Sequence, residues 1–194
     1  LWGITRNPWN TNFTSGGSSG GSSASLASGT STICTGSDIG GSIRIPASTC
    51  GLVGYKPPYG RNPEEAVFNL DFYCHTGPLA RSVKDAIRLQ NVMCGPSPKD
   101  IATLRPKLVL PYEYQPIKDW KIAYSPNLGC FEVDPEVEKN TLASLEVFKS
   151  LGATIEEVDL GWGPEVLEAG LAYLGHIFGA AMQDELEQHA DELT

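Results

Sequence analysis

The chain has 194 residues, 41% hydrophobic and 19% charged, with a formal net charge of −9 at pH 7. It is long enough for an ordinary domain with a real core and too apolar for a disordered chain. The acidic balance sets aside nucleic acid and anionic membrane as main partners, because both require clustered Lys and Arg. Five cysteines, Cys34, Cys50, Cys74, Cys94 and Cys130, are widely spaced and form no C-x-x-C pair. They suggest reduced thiols rather than a disulfide framework or a zinc site. No apolar run reaches transmembrane length and no signal peptide is visible, so a cytoplasmic location is expected. The chain opens on Leu1 rather than Met and is expected to be a fragment.

Residues 1–60 are rich in Gly, Ser, Thr and Pro but carry the apolar anchors Ile33, Ile39, Ile43, Ile45 and Val53. This reads as a packed, loop-heavy region rather than a linker. Within it lie two glycine knots, GGSSGG at 16–21 and GSDIGGS at 36–42. Ser82 opens a helix with a capping-box pattern, Asp85 taking the place of the usual Glu, and Gly95-Pro96 ends it. Residues 96–119 carry five prolines and read as an irregular connection. A strand is expected at 120–124. Asp134 then caps a helix with Pro135 at its first position; Val137, Leu142, Leu145 and Phe148 recur at helical spacing up to Gly152. A β-branched strand follows at 154–158. This strand–helix–strand order is that of an α/β layer protein. Residues 164–193 read as one or two helices, with Gly170, Gly175 and Gly179 weakening the case for a continuous one.

Glycine in quantity costs conformational entropy on folding, so two knots in one domain suggest a backbone used to hold something. A phosphate loop would need Gly-Lys-Ser/Thr, and no lysine precedes Lys56. A nucleophile elbow matches G-x-S-x-G around Ser18 and Ser19, but no buried strand leads into it. The second knot is more informative. Ile39, Gly40, Gly41 and Ser42 stand before a segment that can begin a helical turn, where successive N–H groups form an anion-binding nest. A serine at the edge of such a nest can attack a carbonyl while the amides take up the negative charge, each donor being worth about 3–4 kcal/mol. That serine still needs a base. His75, His176 and His189 have no motif around them, which leaves a second serine relaying the proton to a neutral lysine.

GGSSGGSSA at 16–24, GSDIGGSIRIPASTCGLVGYKP at 36–57 and GPLARSVKDA at 77–86 together resemble the amidase-signature hydrolase family, over roughly residues 6–95. The resemblance implies an α/β/α sandwich around a large mixed sheet, covered only in part by this chain. It implies a Ser–cis-Ser–Lys triad in which Ser42 is the acylated nucleophile and Ser18, 24 residues earlier, bridges to the base after a cis Gly17–Ser18 peptide bond. Ile39, Gly40 and Gly41 would give the oxyanion hole, Ser19 a supporting hydroxyl, and Asp38 and Arg44 a pair bracing the loop. The family's lysine lies upstream of the first serine. Residues 1–17 contain no lysine, and Lys56 matches a structural position.

The chain is therefore expected to be a single incomplete domain. Its signature and catalytic core lie at 1–95, the connection at 96–119, and a strand–helix–strand with C-terminal helices at 120–194. The function implied is amide hydrolysis through an acyl-enzyme, without metal or cofactor, and with no direct nucleic-acid or membrane partner. Other implied partners are a small-molecule amide substrate, the rest of the parent chain and a possible second copy. The alternatives are a glutamine-hydrolysing A subunit of an aminoacyl-tRNA amidotransferase and a non-catalytic amidase-like binding protein.

Overall fold

A computed structural model describes residues 3–66 and 68–192. The chain divides into two compact units, 1–112 and 113–194. In the first, the order is α1 (Gly20–Ala27), β1 (Ile33–Asp38), α2 (Arg44–Cys50), β2 (Val53–Gly54), β3 (His75–Ala80) and α3 (Val83–Met93). The three strands form an antiparallel sheet ordered β1-β3-β2. Ile33 pairs with Ala80 at one end of the β1–β3 ladder and Asp38 with His75 at the other.

This unit is built around one small apolar cluster. Leu26 from α1, Ile43 and Ala47 at the start of α2, and Leu79 from β3 are all buried and pack together, with Cys34 and Leu52 at the edge. Helix α1 has the sequence GGSSASLA, a poor helix former on intrinsic propensity. It is helical because burying Gly20, Ser23 and Leu26 holds it against its neighbours. Composition alone points to a loop over these residues, and packing overrides it. Helix α3 follows the sequence signals. Ser82 caps it by accepting from the Asp85 amide at 3.2 Å, and its hydroxyl donates to the Asp85 carboxylate at 2.7 Å. Gly95 turns the chain away at φ +127°.

The second unit has β4 (Lys121–Tyr124), α4 (Pro135–Ser150), β5 (Thr154–Glu157), α5 (Glu165–Ala181) and α6 (Gln183–His189). The strands pair in parallel, Lys121 opposite Thr154, with α4 as the crossover between them. Asp134 caps α4 through the Glu136 amide at 2.7 Å, with Pro135 at its first position. Helix α5 runs unbroken through Gly170, Gly175 and Gly179, and the interruption falls instead at Met182. The periodic apolar residues of α4 are not core residues among the described residues: Val137, Leu142 and Phe148 are exposed. A two-stranded sheet has too little surface to cover a sixteen-residue helix. Among the described residues no helix is long and apolar enough to cross a membrane.

The Leu26 side chain is the α1 contribution to the core cluster, so Leu26→Ala should leave a cavity there. In the full-length protein we expect a loss of about 2–5 kcal/mol, read by urea unfolding followed by tryptophan fluorescence. A loss below about 1 kcal/mol would contradict the assigned core.

Candidate active site

The second glycine knot is organised by one carboxylate. Asp38, the last residue of β1, is completely buried and accepts five hydrogen bonds. Its Oδ1 takes the Gly41 amide at 2.8 Å and Arg44 Nη2 at 2.9 Å. Its Oδ2 takes Arg44 Nε at 2.9 Å and the amides of Ile43 and Arg44, each at 3.2 Å. The guanidinium grips the carboxylate with two nitrogens, the geometry in which Arg and carboxylate recognise each other best. Residues 38–44 therefore wrap around the carboxylate, and Gly41 makes the turn at φ +128°, a conformation side-chain-bearing residues rarely adopt.

This wrapping sorts the amides of the loop. Those of Gly41, Ile43 and Arg44 are committed to Asp38. Those of Ile39, Gly40 and Ser42 have no acceptor among the described residues. The N–H of Gly41, expected among the oxyanion donors, here donates to Asp38 and braces the loop from within. Ser42 is half-buried and lies two residues before α2.

The first knot meets the second directly. The Ser19 amide donates to the Ser42 carbonyl at 3.2 Å, and Ser19 Oγ donates to the Ser37 carbonyl of β1 at 3.4 Å. Ser18 is exposed, the Gly17–Ser18 peptide bond is cis, and α1 begins two residues later. The structure thus brings the Ser18–Ser19 and Ser42 segments together, with Asp38 and Arg44 behind the loop.

Burial is the largest cause of the pKa shifts of His75, Cys74 and Lys56 in this unit. Burial, and then the charge of Lys56, hold the His75 pKa below the ordinary imidazole value. Its Nε2 lies 3.0 Å from the Phe72 carbonyl and so carries the ring proton. Burial pushes the Cys74 thiol up to about 11, aided by the charges of Glu64 and Asp71, so it remains protonated and inert near neutral pH. Burial also lowers the Lys56 pKa, partly offset by the charge of Asp38. Among the described residues no three His, Cys, Asp or Glu side chains converge as a metal site.

Two residues without a signal in the sequence also hold the site. Asn7 is buried and its Nδ2 donates to the Thr49 carbonyl at 2.7 Å and to that of Thr14 at 3.3 Å. Thr49 Oγ1, near the end of α2, donates to the Ser15 carbonyl at 2.7 Å. The Asn-Pro pair marks a turn in sequence, but its partner 42 residues away is visible only in three dimensions.

The family model Amidase matches residues 1–191. The chain belongs to the amidase family. It is 39% identical over 166 residues to an acylamidase of Rhodococcus erythropolis, an alignment covering 84% of this chain and 35% of that protein. It is 43% identical over 162 residues to the A subunit of the glutamyl-tRNA(Gln) amidotransferase of Carboxydothermus hydrogenoformans, covering 80% and 33%. Among solved structures, a bacterial aryl acylamidase of the amidase-signature family superposes with a TM-score of 0.88 at 35% identity, over 97% of this chain and 40% of that one. The A subunit of the Thermotoga maritima glutamyl-tRNA(Gln) amidotransferase gives 0.73 at 32% identity, over 82% and 36%. This amidase-signature chain spans about a third of the length of the curated relatives it matches.

The environment of Asp38 makes its titration a test of the loop. Burial alone would raise its pKa. The hydrogen bonds from the Arg44 side chain and from the amides of Arg44 and Ile43, together with the guanidinium charge, outweigh burial and hold it below the usual carboxylate value. A carboxyl whose native pKa is depressed stabilises the fold fully above its unfolded value of about 3.9 and loses that contribution as pH falls through the native value. Asp38→Asn should therefore melt below wild type by a steady margin from about pH 5 to 7, narrowing below about pH 4. A margin that stays constant or widens into acid would contradict this.

Proposed function

We propose that the protein containing this chain cleaves a carboxamide or aryl amide by nucleophilic attack of Ser42, releasing an amine and then hydrolysing the acyl-serine with water. The observation carrying this reading is the loop around Asp38. Among the described residues it leaves the amides of Ile39, Gly40 and Ser42 without acceptors beside a half-buried serine. Amides fixed before reaction stabilise an oxyanion without having to reorganise. In this mechanism Ser42 Oγ forms a bond to the amide carbon, and its proton passes through Ser18 to a lysine and then to the leaving nitrogen. Water later repeats the sequence in reverse order of roles.

By resemblance to the family, that lysine lies outside residues 1–194. Lys56 is not assigned the role, because its sequence position after the signature is a structural one. The 194-residue chain by itself is accordingly expected to be inactive. The chemistry asks for no metal or organic cofactor, and the setting proposed is cytoplasmic, with a small amide as substrate and a second copy as a possible partner.

An acylamidase is favoured over a glutamine-hydrolysing transamidating protein by the likeness in structure, 0.88 over 97% of the chain against 0.73 over 82%. The slightly higher sequence identity of the amidotransferase relative keeps the second reading in play. A purely binding role is disfavoured because Ser18 and Ser42 are both present.

With full-length protein, 4-nitroacetanilide should be hydrolysed without partner proteins, and Ser42→Ala should lower kcat/KM by about four orders of magnitude or more. Glutamine turnover that appears only with co-purifying partner proteins would select the transamidating reading. Undiminished turnover in Ser42→Ala would remove Ser42 from the mechanism.

A further inference from the structure

Among the described residues Ser18 has no side-chain hydrogen bond of its own; it is held by what fixes the chain on either side of it. Downstream, the Ser19 amide is bonded to the Ser42 carbonyl at 3.2 Å and α1 begins at Gly20. Upstream, Ser15 is buried and its carbonyl faces the last turn of α2, where it receives Thr49 Oγ1 at 2.7 Å and, more weakly, Cys50 Sγ at 3.5 Å. Thr49 Oγ1 also lies 3.2 Å from the Pro46 carbonyl. A hydroxyl has one proton to give, and the shorter contact assigns it to Ser15. Gly16, at φ +75°, lies so close that a Cβ there would come 2.8 Å from both Pro46 Cα and Thr49 Oγ1. Asn7 ties the preceding turn to the same place by donating to the Thr49 carbonyl at 2.7 Å.

Helix α2 thus serves both serines. Ser42 stands two residues before its first turn, and the strap leading to Ser18 is tied to its last turn. Seven residues of helix span about 10 Å, so a short rigid strut sets the position of one segment relative to the other. Between the tied Ser15–Gly16 pair and Ser18 there is only Gly17, which meets nothing within 4 Å of a would-be Cβ. Loss of the Thr49 hydroxyl would remove the shortest bond to the Ser15 carbonyl, leaving on the upstream side the weaker Cys50 Sγ contact and the Asn7 tie to the Thr49 carbonyl.

We infer that Thr49 is a positioning residue for Ser18, its hydroxyl holding the Ser15 carbonyl so that the bridging serine stays aligned with Ser42. The inference rests on the Ser42–Ser18 reading above and adds a residue to it. The Thr49 hydroxyl is bonded to the strap and not to Ser42, so the effect of losing it should fall on the proton relay rather than on substrate binding.

The test compares Thr49→Val, which keeps the branched shape without the hydroxyl, with Thr49→Ser, which keeps the hydroxyl without the methyl, in the full-length enzyme with 4-nitroacetanilide. For Thr49→Val, kcat should fall about 10-fold with KM within about twofold, because misplacing a reacting group costs rate rather than binding. Thr49→Ser should stay within about threefold of wild type in kcat. Thr49→Ala takes the place of the valine variant if the latter does not fold. The inference is overturned if the hydroxyl-less variant keeps wild-type kcat, if only KM or the melting temperature moves, or if Thr49→Ser is impaired as much as Thr49→Val. Failure of the underlying reading shows itself separately, as turnover that survives Ser42→Ala.

Discussion

A buried carboxylate with five donors around it is the interaction on which the site depends. Asp38 sits at the end of a strand with no exposure to water, where an unpaired charge would be costly enough to be expelled or neutralised. The remedy lies within the next six residues: three backbone amides and a two-pronged guanidinium. Satisfying the carboxylate shapes the 38–44 segment, and in that shape the amides of Ile39, Gly40 and Ser42 have no acceptor among the described residues. The arrangement that keeps Asp38 ionised is therefore the same one on which the oxyanion site proposed beside Ser42 rests. Arg44 remains more than half exposed while Asp38 is fully buried. The pair is thus asymmetric, with a buried anion clamped by a cation that keeps part of its hydration.

The remaining structure of the first unit transmits this local order to the other serine. Ile43 and Ala47, on the residues just after Ser42, enter the apolar cluster with Leu26 and Leu79. Packing thereby fixes α2 to the sheet and α1 to α2. The Ser19–Ser42 backbone bond and the Thr49–Ser15 bond then attach the first glycine knot at two points. Core, strut and strap form one chain of contacts from Leu26 to Ser18. The second unit has a different character. Ala153 is its one buried residue among those described, and this chain, about a third of its relatives' length, leaves the apolar side chains of its helices uncovered.

The elements legible in the sequence are those with local signals. Ser82 with Asp85, Asp134 with Pro135, and the glycines after each helix are caps whose partners lie within a few residues, and they mark α3 and α4 well. Helix α1 is illegible because its two glycines and three serines argue against a helix on propensity, and only burial of Leu26 and Ser23 overrides them. The break in α5–α6 at Met182, rather than at any of three glycines, is likewise a result of context. In the site, the knots and their serines are legible through the family pattern. The commitment of the Gly41 amide is not, because it depends on where the Asp38 carboxylate turns. Asn7 and Thr49 escape a sequence reading for the same reason: their bonds join segments more than thirty residues apart.

Whether the Asp38-organised loop presents Ser42 for acylation is tested most directly by acid-quenching the full-length enzyme during turnover of an activated acetyl ester and mapping the acetyl group by peptide mass spectrometry. The acetyl group is expected on Ser42. An adduct on Ser18 or Cys74, or steady turnover with no trapped acyl group on Ser42 at any quench time, would contradict this.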